Sequence, residues 1–410
     1  MLNESAKTML HEQVWRRFVR MPYGHVLDCA DENGDAPFPT ARECVDCYPN
    51  ALGWMTATEN GAFFTGLYLY ALVEEYELRP NEKTLAEIGT LTNGLLLLCD
   101  VGRVDGFIAR GVADDGVSHY PFSSEDQVGP WLIGLWKVYR APFADETLRD
   151  QIRERLVRTV GGLRAHGYAI PTEWTDVMHG SFIHADYRGC AKGLFTAMLV
   201  SELLCGEDSA DEYRRMRDEK PGNSPYTRGE ILSHGFAPDM VREPSLVQFW
   251  IFVCAHLCVH ELALYDASYA EKFRAGLRNN AVCAAAFLHD ETRYDNKPTK
   301  LFDLDWRKLT RFTQPKDYAE AVKNGVFHCE EWGKINPRRH IEHAILGNML
   351  FAAWIAATGG DETARNEAFA CLTRCTDKEN GIDWIALRHS YAFAAEAAAI
   401  DGEYKQKERV

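Results

Sequence analysis

Apolar residues recur at helical spacing along almost the whole chain, and the alternation typical of strands is nearly absent. The pattern predicts helices over residues 4–19, 58–78, 81–100, 123–140, 146–166, 186–205, 209–219, 243–263, 267–289, 340–358, 361–375 and 383–400. The sequence therefore predicts an all-α protein.

These helices alternate between two kinds. One kind carries charge along one face, as in the runs 82–99, 145–166, 269–289 and 361–375. The other kind is apolar nearly all round and rich in Gly and Ala, as in 61–73, 128–138, 189–204, 246–264, 345–357 and 391–400. A helix that is apolar on every side is expected to be buried on every side.

Buried helices alternating with solvent-faced ones predict an (α/α)6 toroid, in which an inner ring of six helices lies inside an outer ring. The first three intervals between the predicted inner-helix starts are each about 60 residues, as expected for a repeat of one helical hairpin. A longer interval contains a polar stretch at 290–331, which we interpret as an insertion over the mouth of the barrel. Because no linker rich in Pro or Ser divides the chain, we expect one domain over residues 1–410.

Composition excludes several classes of protein. The 410 residues include 60 Asp and Glu against 45 Lys and Arg, for a net charge of −15, and 46% are hydrophobic. This balance excludes a disordered chain, a collagen and a coiled coil. It also argues against nucleic acid as a partner, because that needs a basic surface.

No targeting or membrane signal is visible in the sequence. The longest apolar runs are about twelve residues, short of the roughly 20 that span a bilayer. Most cysteines lie inside apolar helical runs, as expected for buried thiols in a reducing compartment. We expect a cytoplasmic protein that does not bind a membrane and that can form a homo-oligomer.

We expect a functional site at the starts of the predicted inner helices because, in a toroid, the N-termini of these helices converge at one end. Each start carries a carboxylate, and the candidate catalytic residues are Glu59, Asp126, Asp186 and Glu243. Each of them could instead cap its helix, since Ser123 and Asp126 have the spacing of a capping box and Glu243 precedes Pro244. The collection of acids with Arg and His, rather than any single residue, favours a functional site.

Aromatic, cationic and histidine side chains accompany these acids, a mixture suited to stacking on a sugar ring and holding its hydroxyls. The candidate substrate-binding residues are Arg110, His119, Tyr120, Trp131, His184, Arg188, Trp306, Arg339, His340, His343, Trp384, Arg388 and His389.

One glycine-punctuated loop, residues 106–127, ends at a predicted inner helix. In it Arg110 could pair with a substrate carboxylate, or with Asp114 or Asp115 to fix the loop. Asp126 could be a general acid if its surroundings favour the protonated form, and it could equally be a base.

Metal and cofactor signals are weak, and we expect no metal or cofactor. His25, Cys29, Cys44 and Cys47 could bind a structural zinc, but they contain only one C-x2-C pair. His179, His184 and Asp186 could form a metal triad, although lining the funnel is the better interpretation. Nucleotide-binding and serine-hydrolase motifs are not present in the sequence.

The six-hairpin layout, the Glu59-Asn60-Gly61 helix start and the helix start Ser123 to Gln127 (Ser-Ser-Glu-Asp-Gln) resemble the six-hairpin glycosidase superfamily. Within it the chain is similar to the unsaturated glucuronyl hydrolases, in which one aspartate protonates the double bond of the substrate. This resemblance implies that Asp126 is the acid, with Asp186 as the second candidate.

Four functions are consistent with this sequence. We favour a glycoside hydrolase that acts on an anionic, uronic-acid-containing oligosaccharide through carboxylate acid/base catalysis. An epimerase or isomerase similar to the N-acylglucosamine epimerases would instead use histidines, with candidates His184, His340, His343 and His389. A polysaccharide lyase and a non-catalytic toroid that binds glycans are the remaining alternatives.

Overall fold

The protein is described by a computed structural model that is mostly helical, which confirms the all-α prediction. The structure describes residues 2–204, 206, 209, 211–242, 248–289, 294, 296, 302–310 and 314–407, leaving aside the side chains of residues 242 and 340.

Helices account for most of the described residues. In chain order the helices are α1 (Glu4–Gln13), α2 (Ala41–Val45), α3 (Gly61–Leu78), α4 (Glu82–Asp100), α5 (Glu125–Arg140), α6 (Glu146–Ala165), α7 (Tyr187–Leu203), α8 (Glu212–Asp218), α9 (Arg228–His234), α10 (Ala237–Arg242), α11 (Phe249–Tyr265), α12 (Ala270–Ala285), α13 (Tyr318–Ile335), α14 (Pro337–His340), α15 (Asn348–Thr358), α16 (Glu362–Cys375) and α17 (Ala392–Lys407).

Short irregular elements complete the described structure. Val14–Phe18 and Ile341–Gly347 are π-helical, and Trp306–Lys308 is a 3-10 turn. Strand β1 (Val19–Arg20) pairs antiparallel with β2 (His25–Val26), and β3 (Ala169–Pro171) pairs antiparallel with β4 (Met178–Ser181). The π-helical segment Ile341–Gly347 joins α14 to α15, and π-turns are frequent at functional sites.

The most deeply buried helices are α3, α5, α7, α11, α15 and α17, whose side chains make up most of the hydrophobic core. They contact one another in series. Helix α3 packs against α5 and α17, α17 against α15, α15 against α11, and α11 against both α5 and α7. The amphipathic helices α4, α6, α12 and α16 pack on this set.

Two glycines let α3 and α5 approach closely. A Cβ atom on Gly66 would overlap the carbonyl oxygen of Pro130, and one on Gly134 would lie 2.6 Å from the carbonyl oxygen of Gly66. The contact between these helices is therefore made by backbone rather than by side chains.

The predicted helix at 383–400 is wrong at its start, because α17 begins at Ala392 and runs to Lys407. The preceding segment is held in a loop by tertiary hydrogen bonds. Arg17 donates to the carbonyl oxygens of Trp384 and Leu387, and the Glu342 carboxylate accepts from the backbone N–H groups of Arg388 and His389. Backbone groups that a helix would use are thus bonded elsewhere.

The stretch interpreted as a polar insertion is partly helical, since α13 begins within it at Tyr318. Residues 290–293, 295, 297–301 and 311–313 of this stretch lie outside the described residues. Tyr318 packs on Phe122 and His179, and Gly325 lies against Leu52 and Trp54. Helix α13 therefore lies beside the loops that lead into α3 and α5.

One helical run among the described residues, Pro337–Thr358, is long and apolar enough to cross a membrane by length and composition. About 72% of its apolar window is buried inside the protein, as in the core helix of a soluble fold.

Candidate functional site

Polar and aromatic side chains from the starts of α3, α5, α7 and α11, from the segments before α15 and α17 and from two loops lie near one another. We call this set the helix-start site. It consists of Asp28, Glu59, Asn60, Arg110, Glu125, Asp126, Arg188, Lys192, Trp250, Arg339, Glu342, His343, His389 and Tyr391. Helix N-termini in this region contribute free N–H groups and partial positive charge.

A histidine–carboxylate pair lies at one side of the site. Glu342 is completely buried, and its Oε2 lies 2.9 Å from Nδ1 of His389. Two backbone N–H groups fix the same oxygen, so the carboxylate is held in place. With Nδ1 donating to Glu342, the neutral ring has its lone pair on Nε2. Burial, opposed by Glu342, lowers the pKa of His389, so the ring is neutral near pH 7.

A second histidine lies beside the first. Nδ1 of His343 is hydrogen-bonded to the Tyr391 hydroxyl, and the centroids of the His343 and His389 rings are 6.2 Å apart. The Tyr391 ring stacks on His389 at 5.1 Å, and the half-buried Trp250 lies 5.4 Å from His343. This side of the site combines proton-transfer groups with an aromatic surface.

A pair of carboxylates lies at the start of α3. Asp28 accepts hydrogen bonds of 2.6 Å from both the backbone and the side-chain nitrogen of Asn60, so it acts as a cap for α3. Burial and the nearby Glu59 raise the pKa of Asp28, against the effect of these bonds. Glu59 accepts from the backbone of Met55 and lies 4.0 Å from Nη2 of Arg339.

Arg110 connects the two sides of the site. Its guanidinium donates to the carbonyl oxygens of Phe122 and Glu59, not to Asp114 or Asp115. Burial lowers the pKa of Arg110, while Glu59, Asp126 and Asp28 raise it, which places these carboxylates close to the guanidinium. Arg110 thus fixes its loop through backbone oxygens and adds positive charge to the site.

The start of α5 faces two cations on α7. Nζ of Lys192 lies 3.4 Å from Oε2 of Glu125 and 3.7 Å from Oδ1 of Asp126. Arg188, one turn before Lys192, is ion-paired with Asp186, and Glu125 and Asp126 help to raise its pKa. Asp126 therefore lies between positive charges on α7 and Arg110.

Asp186 has a structural role as the N-cap of α7. Its side chain accepts from the backbone N–H of Gly189 at 2.7 Å and caps α7. The neighbouring His184 is exposed. The capping alternative for Asp186 is thus supported, and this residue reaches the site only through Arg188.

Several predicted substrate-binding residues lie in the core or in other contacts, and the structure does not bring them to the site. Trp131 and Trp306 are fully buried and donate to the carbonyl oxygens of Leu95 and Pro37. Tyr120 is buried and donates to Tyr48. His119 lies 3.1 Å from Glu173, which raises its pKa against the effect of burial.

Four further predicted residues lie in the segment before α17 or outside the described residues. Trp384 is buried in the core, and Arg388 pairs with Glu32 at 2.7 Å, next to the site rather than within it. Glu243 and the side chain of His340 lie outside the described residues.

Among the described residues, no group of three or more His, Cys, Asp or Glu side chains could hold a metal ion. The proposed zinc ligands His25, Cys29, Cys44 and Cys47 therefore do not form a site, and His179 instead hydrogen-bonds to the Tyr318 hydroxyl.

A cavity of about 400 Å³ opens between the loop at 223–226 and helices α9 and α10. Tyr226, His234 and Asp239 line it, together with Ala185 near the start of α7. Its lining contains none of the helix-start residues, so this cavity is separate from the helix-start site.

Sequence reasoning missed Asp28, Lys192, Trp250 and Tyr391 as members of the site. Lys192 carries a detectable signal, because a lysine in the middle of an otherwise apolar helix is unusual. Asp28 carries none, since its loop reaches the site through pairing of residues 28–30 with residues 388–390.

Comparisons with known protein families, characterised proteins and solved structures find no match.

Proposed function

We propose that the six apolar helices form the inner ring of an (α/α)6 toroid and that the protein is a glycoside hydrolase acting on an anionic oligosaccharide. The observation that carries this proposal is the gathering of carboxylates, cations and aromatic rings at the helix-start site. The contacts of α7 with α11, of α11 with α15, of α15 with α17, of α17 with α3 and of α3 with α5 follow the order of such a ring and support it.

The side chains of the site match what a uronic-acid sugar requires. Trp250 offers an aromatic face on which a sugar ring can stack. Arg339, which lies near Glu59, and Arg188, which pairs with Asp186, carry guanidinium groups suited to pair with a sugar carboxylate. The resemblance to unsaturated glucuronyl hydrolases points to the same class of substrate.

Hydrolysis needs one group that protonates the leaving oxygen and another that takes a proton from water. Glu59 and Asp126 are the carboxylates that we assign to these tasks. They belong to different helix starts, and both lie close enough to Arg110 to oppose the effect of burial on its pKa. Water adds across the broken bond, so no cofactor is needed, and the buried cysteines fit an enzyme of the cytoplasm.

The test is activity on a panel of saturated and unsaturated uronic-acid oligosaccharides. We expect Glu59→Gln and Asp126→Asn to lower kcat by about 100-fold or more. Asp145→Asn is the matched control, because Asp145 caps α6 at Leu148 as an exposed N-cap outside the site. Full activity in Asn or Gln variants at positions 59, 126, 186, 243 and 342 would exclude the hydrolase.

An epimerase is the second candidate, favoured by the geometry of His343 and His389. Their rings are 6.2 Å apart, and Glu342 fixes the tautomer of one of them. Two such bases could remove a proton from one face of a sugar carbon and return one to the other.

Turnover in D2O separates the two reactions. An epimerase incorporates deuterium into a monosaccharide without cleaving a glycosidic bond, and His389→Gln should abolish this exchange. His166→Gln, a change of an exposed histidine at the end of α6, should leave it intact. Release of a reducing end without exchange would instead favour the hydrolase.

A further inference from the structure

Lys192 is a buried lysine within the apolar helix α7. Its side chain is 1% exposed. The stem fills the space next to Gly129 on α5, where a Cβ atom would lie 2.8 Å from Cδ of Lys192. The glycine on one helix and the lysine on the other therefore fit together.

The ammonium group is directed at the start of α5. It lies 3.4 Å from Glu125 and 3.7 Å from Asp126, and 5.6 Å from the centre of the Phe182 ring. The charged and titratable groups that face this cluster come from several elements: Glu125 and Asp126 on α5, Asp186 and Arg188 at the start of α7, Cys254 on α11, His179 on β4 and Arg110 in its loop.

Stability of the fold does not explain a lysine at this position. Removing an ammonium from water is costly, and its partners are 19% and 25% exposed, so solvent screens the attraction. A long apolar side chain would fill the same space without that cost. Burial lowers the pKa of Lys192, but Glu125 and Asp126 outweigh it and raise the pKa overall, so the group keeps its charge.

We propose that Lys192 is a positioning residue whose ammonium group pairs with the Asp126 carboxylate, so that Asp126 serves as the base of the proposed reaction and not as the acid. This inference rests on the proposed hydrolase function. It reverses the role that the resemblance implies for Asp126.

The reaction then divides between the two sides of the site. Asp126 accepts a proton from water as the water oxygen bonds to the anomeric carbon. The bond from that carbon to the leaving oxygen breaks, and the leaving oxygen receives its proton from the carboxyl group of Glu59. One water is consumed: Asp126 then releases its proton to solvent, and Glu59 takes up a proton from solvent.

The experiment is Lys192→Met, with kcat measured against pH. Without the ammonium, the base is protonated at a higher pH, because a nearby opposite charge shifts such an equilibrium by about one unit or more. We expect the acidic limb of the profile to move up by at least about one pH unit, with activity recovering at higher pH. Lys192→Arg should keep most of the wild-type profile, because it keeps the charge.

Lys137→Met is the matched control. Lys137 is a largely buried lysine of the apolar helix set, with 11% of its side chain exposed, and it pairs with Glu74 at 3.0 Å near the far end of α5, away from the helix-start site. We expect the kcat–pH profile of Lys137→Met to have the same shape as that of the wild type. If Lys192 had only a structural role, Lys192→Met would have a lower melting temperature and an unchanged acidic limb of the kcat–pH profile. We expect instead that the melting temperature of Lys192→Met equals or exceeds that of the wild type.

A carboxyl 13C NMR titration of the ligand-free protein tests the inference without turnover. We expect the Glu125 and Asp126 signals to titrate at higher pH in Lys192→Met than in the wild type. If the carboxyl signals of Lys192→Met and the wild type titrate at the same pH, or if the acidic limb of the kcat–pH profile does not move, the proposed role of Lys192 is wrong. Wild-type protein that cleaves no uronide would instead overturn the proposed function, whatever the titration shows.

Discussion

Two buried histidines, His389 and His25, have different surroundings, which suit them to different roles. His389 has a buried carboxylate, a stacked tyrosine and a place in the helix-start site. His25 is completely buried, and among the described residues neither of its ring nitrogens has a hydrogen-bond partner. Burial and Arg20 lower the pKa of His25 to about 3.

His25 therefore makes stability depend on pH. Its pKa is about 3 in the folded state and 6.5 in the unfolded state, so only the unfolded chain binds the proton between these values. The free energy of unfolding is therefore unaffected by His25 above pH 6.5 and decreases as the pH falls towards 3. At pH 5 it is lower by about 2 kcal/mol than above pH 6.5. We expect His25→Leu to remove this loss, so that it gains more stability at pH 5 than at pH 7.5.

Urea unfolding at the two pH values measures this difference. His166→Leu, at an exposed position, serves as the control and should show no comparable gain at pH 5. An equal effect of His25→Leu at both pH values would mean that His25 titrates normally in the folded protein.

Some single residues of the site could be found in the sequence and others could not. Glu59, Asp126 and Arg188 could be found because they stand at helix starts, which periodicity locates well. Trp131 and Trp306 were chosen for their aromatic character, but the direction of a side chain depends on the helices around it, and both point into the core.

The contact between α3 and α5 depends on two glycines, although glycine within a helix is unfavourable by itself. The backbones meet at Gly66 and Gly134, where any side chain would collide with the opposite helix. Both helices contribute their first residues to the site, so this contact helps to set the position of Glu59 relative to Asp126.

Gly66→Ala should destabilise the protein by about 1–3 kcal/mol, because the added methyl group forces the helices apart. Gly89→Ala is the matched control, since Gly89 lies in the interior of α4 with nothing within 4 Å of an added Cβ. It should stabilise by about 0.5–1 kcal/mol. Chemical denaturation measures both, and equal effects of the two changes would contradict close packing of α3 on α5.

At the scale of elements, periodicity predicted most helices to within a few residues, as with 81–100 against Glu82–Asp100 and 361–375 against Glu362–Cys375. It failed at 383–391, where apolar residues continue but Arg17 and Glu342 bind the backbone. Tertiary partners that are distant in sequence leave no periodic signal, and this loop supplies His389 to the site.

At the scale of the whole molecule, the two ends of the chain come together. Helix α17 packs on α3, α1 packs on α17, and Arg17 binds the segment before α17. The helix-start site depends on this packing, because Asp28 and Glu59 come from the first part of the chain and His389 and Tyr391 come from the last part. The sequence predicts the alternation of helices, but only the helix contacts tell which ones are neighbours.

Phe393 links three of the apolar helices, since its ring lies 5.0 Å from Phe64 on α3 and 5.8 Å from Phe351 on α15. It is fully buried, so Phe393→Ala should lower stability by about 3–5 kcal/mol. If the proposed ring is closed and cooperative, amide hydrogen exchange should quicken in α3 and α15 as much as in α17. Val282→Ala, at an exposed site on α12, is the control and should leave the amide exchange rates of all three helices unchanged. Faster exchange confined to α17 would mean that the last helix opens by itself, and the two halves of the site would then not be held as one rigid unit.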